Sequence, residues 1–345
     1  MVGRRKACQR SACRCVGADA HRTIRETRAP WPCIGGDAEA LPGVVVSHLV
    51  PPRGASYHDD HGGRLYTVDM LRAPRLLPYF GSKYAIADYL VTLMPPHLHY
   101  VEAFCGSLAV LLRKPRARLE TANDIDGDLV NFWRVLRDQP DALARVCQLT
   151  PWSRAEFTQA KQLPYPDDVS DVERARRVWV QLTQAHVATR TPGTGWRLYA
   201  DSGGGAPPFD NWQRLATAAH RLRNVQLECR PALDVIAQFA GDPGVLLYLD
   251  PPYVAGVRSE RTYLNEMPDD AAHRALASAV EGARATVMVS GFASPLYDLD
   301  LFADWHRYEL RARSGYGPAD HGARAGRTEV VWSNRELMAQ LALPL

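Results

Sequence analysis

The sequence contains no run of 18 apolar residues, and its start lacks the apolar core of a secretory leader, so neither a membrane helix nor a leader is expected. Cysteine is sparse and odd in number. Cys8, Cys13, Cys15 and Cys33 fall in the first tenth of the 345 residues, and Cys105, Cys147 and Cys229 are scattered afterwards. Neither group has the paired CxxC spacing or finger-spaced His of a structural zinc site, and no disulfide framework is implied. A cytoplasmic protein without a metal fits this usage. Lysine is rarer still, with Lys6, Lys83, Lys114 and Lys161 set against 37 arginines. There is no internal repeat. The net charge of +3 carries no signature of a nucleic-acid partner, and it resides in residues 1–70, since 71–345 hold 31 charges of each sign.

What is present divides the chain. Residues 1–70 are rich in Arg, Gly, Pro and His, with one apolar patch at Gly43-Val44-Val45-Val46 and no sustained helical or strand period. They read as a poorly ordered N-terminal extension, with the working protein beginning near Met70. From 71 onward short apolar runs alternate with helical patterns, the mark of an α/β domain on a largely parallel sheet. The spacing predicts seven strands: His99–Phe104, Leu119–Asn123, Val225–Cys229, Val245–Leu249, Thr286–Ser290, Arg307–Arg313 and Thr328–Ser333. The last two, separated by Ser314-Gly315-Tyr316-Gly317-Pro318, are expected to form an antiparallel pair. Between the second and third strands lies a mostly helical stretch with predicted helices at Leu129–Arg137, Asp171–His186 and Trp212–Leu222. It also holds a loop running from Thr189 through Trp196-Arg197, followed by Ser202 to Pro208. The predicted organisation is an α/β domain from 71–130 and 224–345, with residues 131–223 inserted.

Three motifs carry chemistry. The most specific is Leu246-Leu247-Tyr248-Leu249-Asp250-Pro251-Pro252-Tyr253, an apolar strand running into Asp-Pro-Pro-Tyr. Two prolines cannot continue a sheet ladder, so the chain leaves at the strand's carboxyl edge, where open α/β sheets bind ligands. The second is Tyr100-Val101-Glu102-Ala103-Phe104-Cys105-Gly106-Ser107, a strand and glycine turn before a helical run from Leu108 to Arg113. That arrangement brings backbone N–H groups and a helix start to a ligand. About twenty residues on, Asn123-Asp124 supplies an acid at the end of the next strand, where such folds often hold ribose hydroxyls. The third is Pro78-Tyr79-Phe80-Gly81-Ser82-Lys83, which precedes a helix predicted from near Tyr84 and holds one of the four lysines.

Taken in order, these motifs resemble the DNA adenine methylase family, the N6-adenine-specific DNA methyltransferases, over most of 71–345. The resemblance implies a Rossmann-like class I methyltransferase fold, with a seven-stranded, mostly parallel sheet, a C-terminal antiparallel strand and a helical target-recognition insertion. It implies S-adenosylmethionine as methyl donor and no metal. Tyr79, Lys83, Glu102, Phe104, Gly106, Ser107, Asp124, Asp234 and Asp250 would hold the donor. Asp250, Pro251, Pro252 and Tyr253 would form the catalytic pocket. Thr328-Glu329-Val330-Val331-Trp332 looks like the closing strand. Ala103 stands where proline is usual. Leu108 stands where a small residue is common, so it is expected to crowd the methionine part of the donor.

The implied reaction is methyl transfer to the exocyclic N6 amine of adenine in double-stranded DNA. That amine is a poor nucleophile because its lone pair is conjugated into the ring. The Asp250 carboxylate and Pro251 carbonyl would accept its hydrogen bonds, and Tyr253 would stack on the flipped base. In the insertion, Arg190 and Arg197 are the expected DNA contacts, with Arg174, Arg176, Arg177, Arg214, Arg221 and Arg223 as further candidates. A cognate restriction endonuclease, encoded separately, is the implied functional partner. The alternatives are a methyltransferase on RNA or another substrate, and an inactive DNA-binding relic.

Overall fold

The computed structural model describes residues 56–58, 64–67, 76–198, 212–254, 267, 269–310 and 329–337. The four early cysteines, the valine patch, Met70, the 202–208 loop and the 314–318 connection lie outside these residues. Within the segment read as lacking any strand period, β1 (Ser56–His58) and β2 (Arg64–Thr67) form a short antiparallel ladder, a correction to that reading. Strands of three and four residues are too short to show a period.

Next come a 3-10 turn at Lys83–Ala85, α1 (Ala87–Leu93), β3 (His99–Glu102), α2 (Ala109–Arg113) and β4 (Leu119–Asn123). A helical region follows: α3 (Gly127–Asp138), α4 (Pro140–Gln148), α5 (Arg154–Ala160), α6 (Asp171–Gln184) and α7 (Trp212–Leu222). The chain then returns to the sheet through β5 (Val225–Glu228), α8 (Ala232–Phe239), β6 (Val245–Leu249), α9 (Asp270–Val280) and β7 (Thr286–Phe292). A π-helical turn at Leu296–Leu301, β8 (His306–Leu310) and β9 (Glu329–Ser333) complete it.

The seven strands run in the order β5-β4-β3-β6-β7-β9-β8. From β5 to β7 every pairing is parallel, and β9 lies antiparallel between β7 and β8. This is the α/β architecture that the alternating pattern predicts. The central strands β6 and β9 are buried along their whole length, as expected of strands covered on both faces. The two-residue side-chain period divides the core. Tyr100, Leu246, Tyr248, Met288 and Val331 point to one face, with α1, α2 and the inserted helices. Val101, Leu247, Leu249, Val287 and Trp332 point to the other, with α8 and α9. Among the described residues no helix is long and apolar enough to cross a membrane.

Among the described residues the insertion holds two helices, α4 and α5, beyond those expected from the sequence pattern. Pro140 opens α4 at its first position, where its missing N–H costs nothing, and the Ser153 side chain caps α5. Helix α6 stops at Gln184, short of the predicted His186, because Ala185 bridges to Trp196 and closes a hairpin-like loop. The chain runs outward from β3 to β5 and then returns to place β6 beside β3. That reversal opens a crevice at the carboxyl ends of β3 and β6.

Candidate active site

The crevice is a cavity of about 370 Å³, within the ~300–1,000 Å³ range of small-molecule sites. Its walls come from the three motifs: Tyr79 to Lys83, Glu102 to Ser107, and Asp250 with Pro252. Asp124 closes one side and Leu233 another. Strand β3 ends at Glu102, two residues before the predicted Phe104, so that Ala103 to Ser107 turn across the cavity.

Gly106 has φ +44°, and a Cβ there would lie 3.2 Å from the Tyr79 ring, so this turn closes on the aromatic only with glycine. Asp124 fixes the turn from beneath: its carboxylate accepts the Gly106 and Asp126 amides, both at 2.9 Å. Burial pushes the Asp124 pKa up to about 6, with those two amides opposing the shift. Glu102 accepts the Tyr100 hydroxyl at 3.0 Å and the Leu111 amide at 3.2 Å. Its pKa rises to about 8, chiefly through burial. Leu108 corrects an expectation. It takes a left-handed backbone, φ +53°, and its side chain is wholly buried in the core rather than part of the cavity lining. It therefore leaves the cavity clear.

The Asp-Pro-Pro-Tyr segment is organised around Lys83, which is only 5% exposed. Its Nζ lies 2.6 Å from Asp250 Oδ1 and 3.4 Å from Glu329 Oε1. It also donates to the Gly81 carbonyl at 3.1 Å and to the Tyr253 hydroxyl at 2.9 Å. Burial opposes the charge on Lys83, but Asp250 and Glu329 outweigh it and hold its pKa well above the ordinary lysine value. Ser290 Oγ donates to the same Asp250 Oδ1 at 3.0 Å. Burial raises the Asp250 pKa, and Lys83 limits the rise. Among the described residues Oδ2 has no hydrogen-bond partner. The ammonium of Lys83, expected at the donor, is thus committed to protein groups.

Tyr253 also differs from expectation. Its ring is 8% exposed and stacked on Phe292, with centroids 4.2 Å apart and planes at 27°. With Pro251 it borders a second hollow of about 10 Å³, roughly the room for one water. A base does not fit there unless that stack opens.

Asp234 lies exposed in the first turn of α8 and outside the cavity lining, which that helix supplies through Ala232 and Leu233 instead. The expected DNA contacts are mostly internal ties. Arg190 is 5% exposed; it pairs with Asp126 and, at 3.0 Å, with Asp128. Arg197 lies over the Trp152 ring at 5.1 Å and donates to the Thr183 carbonyl. Arg174 pairs with Asp128, Arg176 with Glu156 and Glu173, Arg177 with Glu173, and Arg221 with Glu120. Arg214 and Arg223 are exposed, but Arg223 precedes β5 at the amino edge of the sheet, opposite the cavity. Helical spacing cannot distinguish a free arginine from one paired across helices.

Ser290 and Glu329 lie outside the three sequence motifs. Each is a polar residue in an apolar strand, Val-Met-Val-Ser in β7 and Glu-Val-Val-Trp in β9, and that mismatch was the available signal. Among the described lining residues four carboxyl groups, Glu102, Asp124, Asp126 and Asp250, outnumber one cation, Lys83; Asp126 is already paired with Arg190 behind the wall, and the remaining acids suit a positively charged ligand. Among the described residues no three His, Cys, Asp or Glu side chains gather as a metal site.

A curated relative, Type II methyltransferase M1.LlaDCHI of Lactococcus lactis subsp. cremoris, is 22% identical over 268 residues, which cover 74% of this chain and 93% of its own. Residues 79–309 match the D12 class N6 adenine-specific DNA methyltransferases, a stretch that includes every wall of the cavity, and the chain belongs to that family.

Proposed function

We propose that the chain transfers a methyl group from S-adenosylmethionine to the N6 amine of an adenine turned out of duplex DNA, with Asp250 as the amine acceptor. The observation that carries this reading is the asymmetry of the Asp250 carboxylate. Oδ1 is held by Lys83 and Ser290, while Oδ2 has no partner among the described residues and Asp250 lies on the cavity wall.

S-adenosylmethionine supplies a methyl group on a cationic sulfonium. Asp124, and Glu102 once ionised, suit that charge, and the Gly106 turn against Tyr79 would position the donor's nucleoside part. Asp250 Oδ2 and the Pro251 carbonyl would accept the two amine protons, drawing the lone pair out of the ring and toward the methyl carbon. The methylated amine carries one proton too many, and Asp250, its basicity raised by burial, can accept it. The adenine would take the place of Phe292 on the Tyr253 ring, exchanging one stack for another.

Residues 71–130 and 224–345 would serve catalysis and 131–223 target recognition. The type II name of the relative suggests a role in restriction-modification beside a separate endonuclease. Asp250→Ala in the full chain should lose methyl transfer from tritiated donor to unmethylated plasmid DNA by at least about 10²-fold, with an unchanged circular-dichroism spectrum. Wild-type rates in that variant would overturn the assignment. Faster labelling of RNA than of DNA by the wild type would move the substrate class.

A further inference from the structure

The cluster around Lys83 holds one carboxylate more than the proposed reaction uses. Glu329 opens β9, a strand buried at every position, and its own side chain is 6% exposed. A carboxylate in such a place is costly unless something compensates its charge. Direct hydrogen bonding supplies little. Oε1 has no hydrogen-bond partner among the described residues, and the Tyr253 hydroxyl reaches Oε2 only at 3.5 Å. Burial raises the Glu329 pKa, and what chiefly limits the rise is the Lys83 ammonium at 3.4 Å, the same ammonium that sits 2.6 Å from Asp250. One buried cation therefore serves two carboxylates.

That sharing has a chemical consequence. An ammonium paired with Asp250 alone would neutralise it and weaken Oδ2 as an acceptor for the amine. A second carboxylate draws part of the cation's field away while still fixing where the cation stands. We propose that Glu329 is a positioning residue for methyl transfer, acting through Lys83 to keep Asp250 aimed at the amine without neutralising it. This role rests on Asp250 being the amine acceptor.

Among the described residues the titratable groups facing Asp250 are Lys83 from the 3-10 turn, Glu102 from β3, Tyr248 from β6, Tyr253, Tyr297 from the π-helical turn and Glu329 from β9. Lys83 is the one cation in that set. Removing the charge of Glu329 makes the field at Asp250 more positive, so Asp250 releases its proton at lower pH. The acid limb of kcat must then move to lower pH while the plateau falls. A residue that merely braced β9 would move neither limb nor plateau once the chain was folded.

The test measures methyl transfer from tritiated S-adenosylmethionine to unmethylated plasmid DNA across the acid range, for the full wild-type chain, Glu329→Gln and Glu329→Asp. For Glu329→Gln, kcat should fall about tenfold, equivalent to about 1.4 kcal/mol of barrier. Its acid limb should move to lower pH, and KM for the donor should stay near the wild-type value. Glu329→Asp retains a charge, so its limb should stay closer to wild type while kcat falls. A folded Glu329→Gln with wild-type kcat and an unmoved limb overturns the role. If that variant does not fold, wild-type kcat in Glu329→Asp overturns it. Failure of the wild type itself to label DNA would instead sink the proposed activity, and this role with it.

Discussion

Glu102 shows how a single buried group links stability to ligand binding. Its carboxyl ionises near 4.5 in an ordinary setting and near 8 in the folded chain, raised by burial against the Tyr100 hydroxyl bond. Between those values the folded chain holds a proton that the unfolded chain has released. The contribution of Glu102 to stability therefore falls as pH rises from about 4.5 to about 8 and stays low above. Glu102→Gln keeps an oxygen for both hydrogen bonds and removes the titration. The variant should be more stable than wild type by at least about 1 kcal/mol above the folded pKa, with no such gain at acid pH. A cationic donor prefers the ionised carboxyl, so wild-type donor affinity should rise with pH in two steps, near 6 from Asp124 and near 8 from Glu102. The variant should lose only the upper step. Melting curves and donor titration calorimetry across pH measure both effects, and an equal stability change at all pH values would refute the linkage.

The loop from Ala185 to Arg197 is the element for which sequence and structure diverge most. Its Arg190 and Arg197 are the DNA contacts expected from the sequence, yet its charge is turned inward. Arg190 reaches Asp126, whose side chain caps α3 and which also borders the cavity. The Ala188 carbonyl accepts the Phe80 amide at 2.8 Å, beside Tyr79. The loop is thus tied to two walls of the cavity. Arg190→Gln removes the buried cation paired with Asp126, leaving only the α3 amides to hold that charge, and should cost about 3 kcal/mol. Because Asp126 is also a wall residue, donor affinity should fall with stability. Thermal unfolding and donor calorimetry on the same variant check this, and unaltered donor affinity would show the tie to be structural only. The sheet strands and the Asp-Pro-Pro-Tyr edge were legible because apolar runs and proline act locally. The fate of Arg190 was not, because its carboxylate partners, Asp126 and Asp128, lie more than sixty residues away in sequence and no local period records them. The left-handed Leu108 escaped for a related reason. Its αL backbone, at roughly 1–2 kcal/mol, is held by burial of the leucine side chain, which overrides local preference.

At the scale of the molecule, the insertion and the sheet share one apolar core. Phe132, Trp133, Trp179, Leu182 and Leu215 of the inserted helices belong to the same buried cluster as Leu77, Tyr100 and Tyr248 around the sheet. The Trp133 indole donates to the Gly106 carbonyl at 3.0 Å, carrying the link into the cavity turn itself. An insertion joined to its sheet by a flexible hinge could open independently; one that shares its core cannot do so without exposing the sheet. The slowest amides of α6 and of β6 should therefore exchange with the same free energy, both reporting global unfolding. Saturating donor should protect the two sets equally, since it binds the folded state alone. Hydrogen–deuterium exchange resolved by mass spectrometry measures this directly. If α6 opened several kcal/mol below β6, the insertion would be an independent unit, and its coupling to the cavity through Arg190 and Trp133 would have to be weak.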